Sequence, residues 1–173
     1  IYYCGLSKGG MVGQRLATRN PERLHAAVLC ATSSYMGPAN LWQQRIDAAR
    51  AGGMQSISDG TLERWFTPGY HDTHLSEISK IREMIHATPV DGFAGCCIAI
   101  KDMDQRETIK TIDLPVLVIA GAEDPGTTPA MNKLIADSIP GAEYIELPAS
   151  AHFCNVQAAD GFNATLTDFL LKH

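Results

Sequence analysis

Ile1-Tyr2-Tyr3-Cys4-Gly5-Leu6-Ser7-Lys8-Gly9-Gly10 is the stretch on which the reading of this chain turns. A short β-prone run leads straight into Gly5-Leu6-Ser7-Lys8-Gly9, and residues 9–19 then read as a helix, with Val12 and Leu16 one turn apart and Asn20-Pro21 as the stop. This matches G-x-S-x-G, in which a serine occupies a strained turn between strand and helix and its hydroxyl projects above the sheet. The flanking glycines are expected because such a turn brings backbone segments too close for a Cβ atom. Five-residue matches arise by chance, so the weight comes from the strand before the serine and the amphipathic helix after it.

Outward from that turn, Ala26 to Ala31 forms a near-continuous apolar run, and Pro115-Val116-Leu117-Val118-Ile119-Ala120 forms a second. Runs of this kind suit strands covered on both faces, as in a parallel sheet with helices on either side. Thr128-Pro129 opens a helix by combining a capping hydroxyl with a fixed φ at the first helical position. That helix is expected to turn Met131, Leu134 and Ile135 to one side. Pro140-Gly141 then leads into a strand from Glu143 to Leu147, and a last helix from about Ala159 to Leu171 carries Phe162, Leu166, Phe169 and Leu170 on one stripe.

Between about Gly37 and Lys110 the strand signals vanish. Helical stretches are punctuated there by Gly52-Gly53, Thr67-Pro68-Gly69 and Thr88-Pro89, with Trp42, Ile46 and Ala49 on one face and Ile78, Ile81 and Ile85 on another. The expected fold is therefore α/β, a mostly parallel sheet flanked by helices and interrupted by an all-helical insertion. Residues 1–36 and 111–173 make the core and residues 37–110 the insertion.

The composition excludes several function classes. With 173 residues, 45% hydrophobic and 19% charged, the chain reads as an ordinary globular protein. The formal net charge of −5 is spread along it with no Lys/Arg cluster to track phosphates, so nucleic acid is not an expected partner. No apolar run approaches the roughly 18 residues that cross a bilayer, so no membrane association is expected. The five cysteines are odd in number and lack C-x-x-C spacing, and the pair Cys96-Cys97 lies inside an apolar helical pattern. They read as reduced core residues, which implies a cytoplasmic protein without a metal site.

A serine hydroxyl is a poor nucleophile near neutral pH, so a base must take its proton and a carboxylate must hold that base in one tautomer. For a serine on this kind of turn the chain order is serine, acid, histidine. Asp124 falls in the turn after the strand at 116–120, and His152 in the loop after the next strand. Asp124 is alternatively a solvated turn residue or a local cap, with Glu123 as a neighbour that could be taken for it. His152 is alternatively a surface loop histidine. His25, His71, His74, His86 and His173 have no candidate partner at a telling distance in sequence.

With Ser7, Asp124 and His152 in place, the chain resembles the α/β-hydrolase family. Arg50-Ala51-Gly52-Gly53-Met54, Arg64-Trp65-Phe66-Thr67-Pro68 and Gly92-Phe93-Ala94-Gly95-Cys96-Cys97 look like the corresponding stretches of 3-oxoadipate enol-lactonases, bacterial enzymes of the β-ketoadipate route of aromatic degradation. The resemblance implies that Ser7 attacks a lactone or ester carbonyl, that His152 acts as general base, and that the backbone N–H of Lys8 supplies one oxyanion donor. It also implies a helical lid over the substrate, with Trp42 and Trp65 as candidate lining residues and Arg45 as a candidate for the lactone's carboxylate. For the two tryptophans, packing within the lid is the alternative. Acyl transfer to serine requires no cofactor or metal.

Other ester, lactone or carbon–carbon bond hydrolases, and a homologue that binds a ligand without turning it over, remain open readings. Two departures stand out. Lys8 stands where related lactonases usually carry an apolar residue. The family's strands before the serine turn, with the second oxyanion donor, have no counterpart here, so the chain is expected to be one piece of a longer hydrolase core that needs an N-terminal segment in the same or a separate chain. Ile1 as first residue accords with that expectation.

Overall fold

The computed structural model describes all residues from Ile1 to His173. Four strands form one sheet: β1 (Tyr2–Leu6), β2 (Ala26–Cys30), β3 (Val116–Gly121) and β4 (Glu143–Leu147). They lie in the order β1-β2-β3-β4 and every pairing is parallel, with Tyr3 opposite Ala27, Val28 opposite Leu117 and Ile119 opposite Ile145. Parallel strands need crossover connections. These are supplied by α1 (Lys8–Arg19) between β1 and β2, by the long helical segment between β2 and β3, and by α7 (Pro129–Ser138) between β3 and β4. The segment between β2 and β3 contains α2 (Ala39–Gly52), α3 (Gln55–Trp65), α4 (Pro68–Thr73), α5 (Leu75–Ala87) and α6 (Val90–Lys101). After β4 come α8 (Cys154–Gln157) and α9 (Ala159–Lys172).

The chain divides into two compact units, residues 1–34 with 104–173 and residues 35–103. In the first, the two-residue period of the central strands sorts the core into two layers. Ala27, Leu29, Val116 and Val118 face Ala17, Ile135 and Ile139, while Ala26, Val28, Cys30, Leu117 and Ile119 face Phe162 and Phe169. Burial of each large aliphatic or aromatic side chain in such a layer contributes about 1.5–3 kcal/mol. Residues 104–110, expected in the insertion, belong to this unit because Ile109 is fully buried against the sheet and Gln105 donates to the carbonyl of Met11 at 3.0 Å. In the second unit Trp42 and Ile46 of α2 pack with Ala94 and Cys97 of α6. Ala49, Ile78 and Ile85 are buried as their spacing predicts.

Two helix faces differ from their sequence reading. On α1 the inward residues are Gly10, Met11, Gly13, Gln14 and Ala17, while Val12 is 52% exposed. A Cβ at Gly13 would fall 2.8 Å from Leu29 and one at Gly10 would overlap Thr32, so α1 lies close on the sheet and small residues, not large apolar ones, mark its inner face. On α7 Ile135 is buried but Leu134 is 47% exposed, and the inward positions are completed by Asn132 and Ala136. The α7 cap is as read, with the Thr128 hydroxyl accepting from the N–H of Met131. Cys30, Cys97 and Cys154 are buried, but Cys4 is exposed on β1, which the core reading of the cysteines did not foresee. No helix is long and apolar enough to cross a membrane.

Candidate active site

Ser7 stands between the end of β1 and the start of α1, at φ 55° and ψ −115°. This is a conformation that costs a non-glycine residue on the order of 1–3 kcal/mol and persists only where surrounding bonds hold it. Here the Ser7 N–H donates to the carbonyl of Cys30 at 2.8 Å, and its carbonyl accepts from the Met11 N–H at 3.1 Å and from the Thr32 hydroxyl at 2.7 Å. Gly5 meets the expected crowding, because a Cβ there would overlap the carbonyl of Gly9. Gly9 itself has open space around it, so the second close approach is at Gly10, against Thr32. Lys8 opens α1, in the first turn where N–H groups have no carbonyl of their own helix to bond.

Asp124 lies in the turn after β3 and is 2% exposed. Its Oδ1 accepts from the N–H groups of Gly126 at 2.8 Å and Thr127 at 3.0 Å; its Oδ2 accepts from the Thr127 hydroxyl at 2.6 Å and from Nδ1 of His152 at 2.7 Å. The carboxylate thus holds its own turn and reaches the imidazole with its other oxygen. Burial acts most strongly on this carboxyl and works against ionisation. The hydrogen bond and charge of His152, the Thr127 hydroxyl and the Gly126 N–H together outweigh it and hold the pKa below the usual 3.8. Glu123 is exposed, and its N–H donates to the carbonyl of Ser150 at 2.9 Å.

His152 is 7% exposed in the loop after β4. That loop is fixed against the turn of Asp124: besides the Glu123 bond, Gly121 abuts the carbonyl of Ala151 so closely that a Cβ would overlap it. The Ala151 N–H is held by Gln157 at 3.1 Å. Nearby Cys154 is no rival nucleophile, since burial pushes its thiol up to about 12. The five other histidines are occupied locally. His86 reaches the Ser58 hydroxyl and His71 the Leu62 carbonyl, each at 3.1 Å, His74 lies 2.8 Å from the Thr73 hydroxyl, His25 packs on Tyr2, and His173 faces Glu143 at 3.9 Å.

Ser7, Asp124 and His152 therefore follow the carboxyl ends of β1, β3 and β4, the same edge of one parallel sheet. Trp42, Arg45 and Trp65 belong to the helical unit. Trp42 is buried and its indole N–H donates to the Met36 carbonyl at 2.6 Å, Arg45 is exposed and stacks on Trp42 with its guanidinium 4.8 Å from the ring centre, and Trp65 is half-buried at the end of α3. The Arg64 guanidinium is held below its usual pKa by partial burial and then by the charge of Arg45. Sequence reasoning missed Thr127, Asn132 and Thr32, whose bonds join these loops. The one local sign was a polar Asn132 on the inward stripe of α7.

A serine on a strained strand–helix turn, with a carboxylate–imidazole pair at the same edge of a parallel sheet, is the arrangement of α/β-hydrolases. The chain has the α/β-hydrolase fold. No family model matches it. It is 36% identical over 161 residues to 3-oxoadipate enol-lactonase 2 of Acinetobacter baylyi, covering 93% of this chain and 60% of that protein. The crystal structure of the enol-lactonase from Burkholderia xenovorans LB400 superposes with a TM-score of 0.96 at 38% identity, covering 98% of this chain and 65% of that one. A pimeloyl-[acyl-carrier protein] methyl ester esterase of Neisseria meningitidis is 25% identical over 185 residues, 96% of this chain and 68% of the relative. The chain thus spans under two thirds of the length of the two enol-lactonases it matches.

Proposed function

We propose that the protein carrying this chain is a serine hydrolase that opens 3-oxoadipate enol-lactone. The observation that carries the reaction class is the 2.7 Å contact of His152 Nδ1 with Asp124, on the sheet edge where Ser7 holds its strained turn. The substrate rests on the similarity to two enol-lactonases and on the resemblance of three sequence stretches to that group. In this reading His152, proton on Nδ1, takes the Ser7 proton at Nε2 as Oγ adds to the lactone carbonyl. The N–H of Lys8 stabilises the oxyanion. Collapse breaks the ring C–O bond and releases an enolate, which takes up a proton and becomes the ketone; water, activated by His152, then frees the acyl group from Ser7. From the helical unit, Arg45 on its Trp42 platform is the proposed partner of the lactone's carboxylate, and Trp65 a proposed lining residue. No step requires a cofactor.

The test is hydrolysis of freshly generated 3-oxoadipate enol-lactone by the protein carrying this chain, beside Ser7→Ala. Loss of at least about 10⁴-fold in kcat is expected, as for removal of a nucleophile that acts as a unit with its base. Equal rates would sink the serine mechanism. A normal Ser7-dependent rate on simple esters without turnover of the lactone would retain the hydrolase and reject the substrate.

A further inference from the structure

The Asp124–His152 pair has a third member. The Thr127 hydroxyl lies 2.6 Å from Asp124 Oδ2 and 3.1 Å from His152 Nδ1, and Thr127 is 3% exposed. A hydroxyl has one proton, and the shorter contact, to a carboxylate that can only accept, commits it to Asp124. Toward His152 the same oxygen then offers only a lone pair, as does Asp124 Oδ2 at 2.7 Å, so Nδ1 faces two acceptors and must carry the proton it gives to the carboxylate. That places the free lone pair of the imidazole on Nε2, where a base for a serine needs it. The N–H of Thr127 meanwhile binds Oδ1 at 3.0 Å, so this residue holds both oxygens of the carboxylate and fixes its plane.

Thr127 is itself held from the nucleophile's side. Its carbonyl accepts from the Asn132 side-chain amide at 2.9 Å, and that nitrogen also donates to the Thr128 carbonyl at 3.1 Å. The Asn132 Oδ1 accepts from the Thr32 N–H at 2.9 Å, and the Thr32 hydroxyl donates to the carbonyl of Ser7. Asn132 and Thr32 are fully buried, and the bonds from Asn132 to the Thr127 carbonyl and to the Thr32 N–H lie away from competing water.

We infer that Thr127 is a positioning residue for the acid–base pair: its buried hydroxyl fixes Asp124 and the Nδ1–H tautomer of His152, and Asn132 keeps it in register with the turn of Ser7. The inference rests on the serine-hydrolase reading but not on any one substrate. Valine at 127 keeps the shape and the N–H and removes the hydroxyl, while serine keeps the hydroxyl.

The test is labelling of Ser7 by a fluorophosphonate, in which the serine oxygen bonds to phosphorus, fluoride leaves and the serine proton passes to His152. Maximal rate and half-saturating concentration are measured separately in the protein carrying this chain, with thermal melts of every variant. Thr127→Val is expected to slow the maximal rate about tenfold, the loss of one hydrogen bond to a charged group, with the half-saturating concentration within about twofold. Thr127→Ser is expected to stay within about threefold of the parent. A folded Thr127→Val that labels at the parent rate overturns the inference, as does Thr127→Ser as slow as Thr127→Val. Should Thr127→Val not fold, Thr127→Ala is read against Thr127→Ser by the same criteria. Absence of labelling in the parent would sink the hydrolase reading and this inference with it, whereas labelling indifferent to residue 127 sinks the inference alone.

Discussion

Nδ1 of His152 and Oδ2 of Asp124 are 2.7 Å apart although the residues lie 28 positions apart in the chain, and neither is exposed beyond 7%. The contact requires that the turns after β3 and β4 lie side by side, which the parallel pairing of Gly121 with Leu147 secures. Because the carboxylate is buried, its ionisation depends on the partners gathered around it, and this governs acid stability.

The Asp124 carboxyl titrates below the ordinary 3.8 in the folded chain. Its contribution to stability is therefore complete above about pH 4 and is lost as pH falls from there through the lowered folded value. Urea midpoints followed from about pH 6 to pH 3 are expected to drop more steeply for the parent than for Asp124→Asn. Parallel slopes would contradict this.

Ser7→Gly removes the nucleophile and relieves a positive-φ backbone. Strain of about 1–3 kcal/mol is set against the roughly 0.5–1 kcal/mol that glycine's chain entropy costs, so a net gain of about 1 kcal/mol in stability is expected together with complete loss of activity. A melting temperature below that of the parent would show the turn to be unstrained.

Gly121→Ala drives a methyl group into the Ala151 carbonyl, which is backbone and has no rotamer to yield. A loss of about 2–3 kcal/mol is expected, along with reduced Ser7 labelling, because the displaced segment carries His152. Denaturant unfolding and labelling rate should fall together. Gly9→Ala, with nothing crowding its Cβ, should leave stability within about 1 kcal/mol of the parent and serves as control.

Asn132→Leu strands the carbonyl of Thr127 and the N–H of Thr32 in the interior, while the Thr128 carbonyl keeps the N–H groups of Met131 and residue 132. At about 1 kcal/mol or more for each of these two groups, a loss of about 2 kcal/mol and a fall of roughly 6 °C in Tm are expected. Calorimetry of the two proteins checks it, and a Tm within experimental error of the parent would show that the amide contributes nothing to holding the loops.

Arg45→Met is expected to raise KM for the carboxylate-bearing lactone roughly tenfold, the value of one charge-assisted hydrogen bond, and to leave a neutral ester unaffected. Equal effects on both substrates would show Arg45 to act through packing on Trp42.

The sequence by itself determined much of this protein. Two unbroken apolar runs suited strands covered on both faces, Gly5-Leu6-Ser7-Lys8-Gly9 marked the strained turn, and Thr128-Pro129 marked a capped helix start, each because the information lies within a few residues. The order of Ser7, Asp124 and His152 was legible for the same reason, since each follows a strand end. The inner face of α1 was not, because close approach to the sheet selects Gly10 and Gly13 where hydrophobicity pointed to Val12. Nor was the setting of the acid. Whether Asp124 caps a turn or binds His152 is undecided in sequence, and only the fold shows that it does both, one oxygen for each. The link from Asn132 to Thr32 spans 100 residues. A hydrogen bond of that kind leaves no periodic trace, so only tertiary structure, by closing α7 onto the loop after β2, could decide it.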